Sequence, residues 1–241
     1  MNLVIDIGNT LTKLALFEGG RLIKLISQAT VSEEEMVSIA RQYHPEAAII
    51  SSVREGDGYV RILEQEVKVI KLTGDTAVPI RNNYQTPWTL GPDRLAAAVA
   101  AHHTYGGKNV LVITCGSCIT YDLVNRRGSY EGGAISPGMS MRFQAMNTFT
   151  GRLPLVSYQE DVPIVGQTTT GSLQSGAVNG MASEIDGMIE RYREEYPDLI
   201  VILSGGDMIY FAKRLKNNIF ALPNIVLEGL NIILNFNENL R

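Results

Sequence analysis

The sequence predicts an α/β protein built from two similar halves. The segment "LVIDIGNTLTKLALFEGG" near the start matches "LVITCGSCITYDLVNRRG" in the middle, with Gly8 on Gly116 and Gly20 on Gly128. Each copy consists of an apolar strand, a glycine turn and a second, alternating strand. Further strands alternate with helical stretches after both copies, and no low-complexity linker separates them. A repeat at this separation indicates two copies of one structural plan rather than a solenoid.

The elements follow in the same order in each half. After the first copy come the strand "RLIKLISQ" and a helix opening at Ser32, where Glu35 completes a capping box. The strands "AAIISSV" and "VKVIKLTG" alternate with helices. After the second copy come "SYEGGAISPG", the helix "MSMRFQAMNTF", a long helix from about Ser172 to Tyr196, "LIVILSGG", a helix, "NIFALP" and a final helix. The break near Tyr105 predicts domains at 1–107 and 108–241, each opening with a three-stranded meander and facing the other across a cleft.

Composition excludes several classes of protein. The 241 residues are 45% hydrophobic and carry a net charge of −4, with scattered Lys and Arg, so a nucleic-acid partner is not expected. Apolar runs stay well short of the ~20 residues that span a bilayer, and no basic region precedes the first strand as in a signal peptide. The two cysteines fit a reducing compartment, so a cytoplasmic protein is expected.

A carboxylate ends the first strand. Asp6 interrupts an apolar run, which is costly unless the charge is paired or binds a cation. One alternative is a surface hairpin with a turn Asn. The other is a polyphosphate clamp, since glycine turns expose backbone N–H groups to anions and Asp6 could hold Mg²⁺. Neither standard phosphate loop is present. The candidate phosphate-binding residues are Gly8, Asn9, Thr10, Lys13, Ser117 and Thr120.

The stretch "GPDRLAAAVAAHH" supplies a candidate base. Pro92 after Gly91 suits a first helical position, and the alanines that follow favour helix. Asp93 and Arg94 then lie in the first turn, where the dipole keeps a carboxylate ionised and favours an anionic substrate. An ordinary helix start with a dipole-complementing Asp is the alternative.

Taken together, "DIGNT", "GPDR", "TCGSCITYD" and "GGAISPGM" resemble the type III pantothenate kinase family over nearly the whole chain. That family belongs to the acetate and sugar kinase/Hsp70/actin superfamily, with two ribonuclease H-like domains. The resemblance implies that ATP, with Mg²⁺, phosphorylates the terminal hydroxyl of pantothenate, the first step of coenzyme A synthesis. It also implies a homodimer.

The resemblance carries over residue by residue. It makes Asp6 to Lys13 the ATP-phosphate segment, with Ser117 at an ATP-binding position and Asp93 as proton acceptor. The residues matching pantothenate-binding positions are Tyr84, Gly91, Pro92, Asp93, Arg94 and Thr169. One position departs, because Thr114 stands where the family commonly has an aspartate that binds K⁺. A hydroxyl is a poorer cation ligand than a carboxylate, so we expect weak dependence on K⁺ or NH₄⁺, or a site built from other oxygens.

Other functions remain open at this point. Cys115 and Cys118 form a CxxC that could be a redox pair or half a zinc site, although no second ligand pair accompanies it. The same scaffold could serve another small hydroxyl acceptor or a non-catalytic regulator. The presence of Asp6, Lys13, Asp93 and Arg94 favours a kinase. The small residues in the early turns of the long helix permit close helix packing and weakly favour a homodimer.

Overall fold

A computed structural model describes residues 1–54 and 58–240. They form two compact units. The first contains residues Met1–Gly107, Val124–Gly132 and Asn224–Arg241, and the second Lys108–Leu123 and Gly133–Pro223. The predicted break at 107/108 is one of the boundaries between them.

The first unit is built on a five-stranded sheet. Its strands are β1 (Asn2–Ile7), β2 (Thr12–Glu18), β3 (Arg21–Gln28), β4 (Ala47–Ser52) and β5 (Lys68–Lys71), in the order β3-β2-β1-β4-β5. The meander β1–β2–β3 is antiparallel, and β4 and β5 continue parallel to β1. The core strand β1 is fully buried from Leu3 to Ile5, as its continuous apolar run predicts.

The second unit repeats this order. Its strands are β7 (Val110–Cys115), β8 (Cys118–Val124), β9 (Ser129–Pro137), β10 (Ile200–Ser204) and β11 (Phe220–Ala221), in the order β9-β8-β7-β10-β11. Strands β7, β10 and β11 are parallel, like β1, β4 and β5. The repeat seen in the sequence therefore corresponds to one strand order used twice. The turn between β8 and β9 packs in the first unit, where the short β6 (Arg81–Asn82) pairs with the start of β9.

Helices flank both sheets. Those of the first unit are α1 (Glu33–Tyr43), α2 (Gly58–Leu63), α3 (Pro92–Thr104) and α7 (Ile225–Asn239), and those of the second α4 (Met139–Thr148), α5 (Thr169–Glu195) and α6 (Met208–Ala212). A 3₁₀ turn covers Pro87–Thr89. Half of the predicted capping box of α1 is present: the Ser32 hydroxyl accepts the Glu35 N–H at 3.2 Å, whereas Glu35 Oε1 accepts from Gln28 Nε2 at 3.0 Å. The described residues contain no helix long and apolar enough to cross a membrane.

The final helix packs in the first unit, whereas the predicted domain 108–241 places it with the second half. Helix α7 lies on α3 and on strands β1 and β4. The two helices touch closely, since a Cβ on Gly229 would lie 1.8 Å from the Ala96 carbonyl oxygen. The alanines that predict α3 as a helix thus also leave room for α7. The compact units are therefore not the two halves of the chain, because residues 124–132 and 224–241 pack with the first half. The division into domains at 107/108 stays a prediction.

Candidate active site

Asp6 lies near the carboxyl end of the central strand of the first unit. It stands opposite Lys13 on β2 and beside Ser51 on β4. Burial, and after it the nearby Asp93 carboxylate, raise the pKa of Asp6, which lies at about 6. The Ser51 hydroxyl and Lys13 act in the opposite direction and lower it. The buried Ser51 Oγ makes no hydrogen bond of good geometry with the described residues, so we treat its influence on Asp6 as that of a nearby dipole. Asp6 is therefore an under-compensated carboxylate.

The glycine turn follows Asp6 directly. Its ends are tied by a bond from the Gly8 N–H to the Leu11 carbonyl at 3.0 Å, and a Cβ on Gly8 would approach that oxygen to 3.1 Å. The side chains of Asn9 and Thr10 are exposed at the tip. The turn is thus held shut by its own backbone while its polar side chains face outward.

Arg54 adds a cation to this turn that was not predicted from the sequence. It follows β4, and its Nη2 donates to the Asn9 carbonyl oxygen at 3.1 Å. Its own backbone is fixed by Ser52, whose Oγ accepts the Arg54 N–H at 3.1 Å. The signal that could have found it is its position, since β4 is parallel to β1 and the carboxyl ends of parallel neighbours meet at one edge.

Asp93 lies in the first turn of α3. Gly91 precedes the helix as its N-cap, and Pro92 takes the first helical position as predicted. The Asp93 carboxylate folds back over Gly91, where a Cβ would lie 2.6 Å from Oδ1. Burial raises the pKa of Asp93, and the backbone N–H and charge of Arg94 offset part of that rise. The sequence predicted that the helix start would set this group's ionisation, but desolvation is the larger influence. A carboxylate with a raised pKa is a better proton acceptor.

Arg94 and Tyr84 form a second pair beside Asp93. The Arg94 side chain is buried, and its guanidinium lies 5.9 Å from the centre of the Tyr84 ring. Tyr84 also contacts Tyr130, with ring centroids 6.0 Å apart, and a Cβ on Gly132 would lie 3.3 Å from its Cδ2. A buried guanidinium next to a phenol can bind a carboxylate and a hydroxyl of one small molecule.

Four predicted residues belong to the second unit, and one of them, Thr120, is half-buried on β8. Ser117 is exposed in the two-residue turn between β7 and β8, whose ends are joined by a bond from the Gly116 N–H to the Cys118 carbonyl at 2.9 Å. Thr169 is exposed as the first residue of α5, after the N-cap Thr168. Thr114 is half-buried on β7 and pairs in register with Ser204 on β10.

The CxxC has the properties of a structural turn. Both cysteines are free thiols. Cys115 is fully buried, and burial raises its pKa to about 12, with the charges of Asp207 and Glu184 adding to the rise. A thiol that stays protonated at neutral pH is a poor nucleophile and metal ligand.

The Asp6 carboxylate fits a cation whose remaining ligands are water and phosphate oxygens. Among the described residues, no group of three or more His, Cys, Asp or Glu side chains could hold a metal by itself. Asp6 supplies one carboxylate whose charge is poorly compensated. Mg²⁺ typically takes one or two carboxylates and completes its shell with water and phosphate oxygens. The donor set present therefore fits a metal that arrives with a nucleotide.

The first unit brings together most of the predicted residues. Asp6, the glycine turn and Lys13 share it with Tyr84 and the start of α3, and Asp6 and Asp93 are close enough to influence each other electrostatically. Arg54 and Glu131 were missed, and the Glu131 carboxylate accepts from the amides of Asn83 and Asn125. Neither lies in a recognisable motif, and their contacts join segments far apart in the chain.

Comparison with known proteins gives a consistent result. The model of the type III pantothenate kinase family matches residues 2–191. A type III pantothenate kinase of Phocaeicola vulgatus is 43% identical over 242 residues, covering 100% of both chains. Among solved structures, a Campylobacter jejuni protein assigned to the Baf family of transcriptional activators has a TM-score of 0.63 at 19% identity, covering 98% of this chain and 99% of that one. The inorganic polyphosphate/ATP-glucomannokinase of Arthrobacter sp. strain KM has a TM-score of 0.52 at 11% identity, covering 98% of each. At these identities the two structures show the fold alone, and they confirm the predicted fold class.

Proposed function

Since the chain belongs to the type III pantothenate kinase family, we propose that Asp93 is the general base of its reaction, the ATP-dependent phosphorylation of pantothenate in coenzyme A synthesis. Family membership over the whole chain confirms the predicted kinase and its two substrates. The observation that carries the proposal for Asp93 is that its charge raises the pKa of Asp6, which adjoins the glycine turn. A base for the acceptor hydroxyl must lie near the phosphate-binding segment.

The acceptor side follows from the pair beside Asp93. Arg94 would bind the carboxylate of pantothenate, and Tyr84 would hydrogen-bond one of its polar groups. Gly91 and Pro92 shape the helix start against which the substrate would rest, and we also assign Thr169 to pantothenate. The Asp93 carboxylate would then take the proton of the terminal hydroxyl as that oxygen attacks the γ-phosphorus. The raised pKa of Asp93 suits this transfer near neutral pH.

The donor side belongs to the glycine turn. The outward-facing Asn9 and Thr10 would donate to phosphate oxygens, Gly8 would let the backbone approach them, and Lys13 would supply charge. We assign Ser117 to ATP as well. Its turn in the second unit occupies the same place in the strand order as the turn after β1.

Kinases use ATP with a divalent metal, and we propose that here the metal is Mg²⁺ held by Asp6 through water. Bound there, Mg²⁺ would neutralise charge on the transferring phosphoryl group. Lys13 keeps one cation opposite Asp6, and Ser51 holds a hydroxyl dipole beside it. We also place the enzyme in the cytoplasm, in keeping with its two free thiols, and cell fractionation tests this.

The first test is ADP release coupled to a reporter, with purified protein, Mg²⁺ and ATP, with and without pantothenate. Wild-type protein should turn over only when pantothenate is present. Asp93→Asn keeps the size of the side chain but cannot accept the proton, so its kcat should fall on the order of 10²- to 10⁴-fold. ATP binding, measured by titration calorimetry, should be retained.

The matched control is Asp75→Asn, the same chemical change at an exposed position outside the proposed site. Its kcat should equal that of wild type. Turnover by folded Asp93→Asn within a few-fold of wild type would refute the role of Asp93 while leaving the family activity intact.

A further inference from the structure

A polar cluster, which we define as Glu131, Asn83 and Asn125, includes the residue directly before Tyr84. All three side chains belong to the first unit. Asn83 Nδ2 donates to both oxygens of the Glu131 carboxylate, at 3.3 Å to Oε1 and 3.2 Å to Oε2. Asn125 Nδ2 donates to Oε1 as well. One carboxylate therefore joins the residue directly before Tyr84 to the turn that precedes β9.

The backbone on the Tyr84 side of the cluster is attached to β9. The Arg81 N–H donates to the Gly128 carbonyl at 2.9 Å, and the Asn83 N–H to the Tyr130 carbonyl at 3.0 Å. The Tyr84 N–H is itself accepted by Asn82 Oδ1 at 3.0 Å. The edge strand β6 ends at Asn82, and among the described residues no backbone hydrogen bond to β9 follows that of Asn83. Side-chain contacts must fix the end that carries Tyr84.

The other side of the cluster is rigid. Asn125 Oδ1 accepts the N–H groups of Arg127 at 2.8 Å and Ser129 at 3.1 Å, and the Gly128 N–H donates to the Asn125 carbonyl at 2.9 Å. This closed turn presents the Asn125 amide to Glu131. The Glu131 carboxylate therefore connects the hydrogen-bonded turn at Asn125 to Asn83, directly after the end of the edge strand.

The ring of Tyr84 rests on the same strand. Gly132, the residue after Glu131, has φ +99°, and a Cβ there would meet Tyr84 Cδ2 at 3.3 Å. Glu131 and Gly132 thus act on Tyr84 in two ways, one through the preceding backbone and one through the ring.

We propose that Glu131 is a positioning residue that sets the place of Tyr84 for pantothenate, an inference that rests on the assignment of Tyr84 to the substrate. Glu131 is exposed and touches neither Asp93 nor the glycine turn through any contact of the described residues. Its effect is therefore confined to pantothenate affinity. The class of ligand it serves is a small carboxylate bearing hydroxyls.

The test compares steady-state kinetics of Glu131→Ala, Glu131→Gln, Tyr84→Ala and the double variant Glu131→Ala/Tyr84→Ala. Removing a hydrogen-bonded carboxylate from Asn83 and Asn125 should raise the KM for pantothenate about fivefold, with kcat and the KM for ATP unchanged. Glu131→Gln keeps one acceptor oxygen and should restore part of the loss. If Glu131 acts through Tyr84, the double variant should be no worse than Tyr84→Ala.

Each other outcome has a separate meaning. A double variant whose KM rises by the product of the two single effects would overturn the inference, because Glu131 would then act independently of Tyr84. An unchanged KM in Glu131→Ala beside a raised KM in Tyr84→Ala would also overturn it, while the assignment of Tyr84 would stand. An unchanged KM in Tyr84→Ala would refute that assignment, and the inference with it.

Two further variants serve as controls. Asn83→Ala removes the same contact from the other side and should reproduce the kinetics of Glu131→Ala, which keeps the test decisive if Glu131→Ala folds poorly. Glu64→Ala changes an exposed carboxylate on the same unit that belongs to neither the cluster nor the proposed site, and it should behave as wild type.

Discussion

Asp6 shows how one buried charge can couple binding to protons. Its pKa of about 6 in the folded protein lies above the ordinary value of 3.8, so between these values the folded state holds a proton that the unfolded state has lost. The metal-free protein should therefore gain stability from this group as the pH falls from 7 towards 4. Metal-bound nucleotide needs the ionised form of Asp6, so the affinity for Mg²⁺-ATP should fall as the pH falls.

The corresponding prediction compares wild type with Asp6→Asn by thermal unfolding, with and without Mg²⁺ and ATP. Without ligand, the Tm advantage of Asp6→Asn should be largest above about pH 6 and should vanish near pH 4, because the wild-type carboxylate is then protonated. In wild type, the stabilisation by Mg²⁺-ATP should decline below pH 6, with affinity falling up to tenfold per pH unit. The difference in Tm between the two proteins at each pH cancels the contributions of the other acidic groups, which both proteins share. A difference independent of pH would contradict the assigned pKa.

Thr114 carries the second prediction at this scale. It offers a hydroxyl beside Ser204 in register, with no carboxylate of its own. Hard cations prefer carboxylate oxygens, so activity should depend only weakly on K⁺ or NH₄⁺. Titration of K⁺ in a buffer free of monovalent metal ions tests this, and strong saturable activation would contradict it. Thr114→Asp should acquire such activation, whereas Thr114→Val should leave the weak response as it is.

At the scale of elements, local pattern predicted most of the strands and helices correctly. The run Leu3–Ile5 marks a buried strand, Ser32 with Glu35 marks the start of α1, and Pro92 marks the start of α3. Each of these signals arises from neighbours in sequence. Where an element packs is a property of distant residues. Helix α7 lies on α3 because Gly229 meets Ala96, and nothing within α7 announces that partner.

The same distinction applies to the site. Asp6 was predictable because a charge in an apolar strand is costly, and Asp93 because it opens a helix after glycine and proline. Glu131 and Arg54 lie outside any recognisable motif, and only the position of Arg54 just after β4, a strand parallel to β1, could have drawn attention to it. Their importance comes from contacts with Asn83 and Asn9, 48 and 45 residues away. Burial has a larger effect on the pKa of Asp93 than the helix start has, and burial likewise depends on packing by distant residues.

At the scale of the whole molecule, the outer face of α5 is open. Gly176, Gly180 and Gly187 recur at helical spacing, and a Cβ on any of them would meet nothing within 4 Å in the same chain. Large apolar side chains of the second unit are also exposed, with Ile164 at 77% and Val165 at 69%. Exposed apolar surface of this kind marks interaction sites, and small residues let helices approach closely. We therefore infer a homodimer that uses this face of α5.

The prediction is that purified protein sediments at about twice the 26.4 kDa of one chain, and that Gly180→Leu shifts it towards monomer. A Cβ at position 180 meets nothing within 4 Å in its own chain, and leucine is a better helix former than glycine, so the fold should be kept. Ser38→Leu, at an exposed position of α1 in the other unit, is the matched control and should stay dimeric. Monomeric wild type at micromolar concentration would contradict the homodimer. A Gly180→Leu variant that stays dimeric would place the interface elsewhere on the surface.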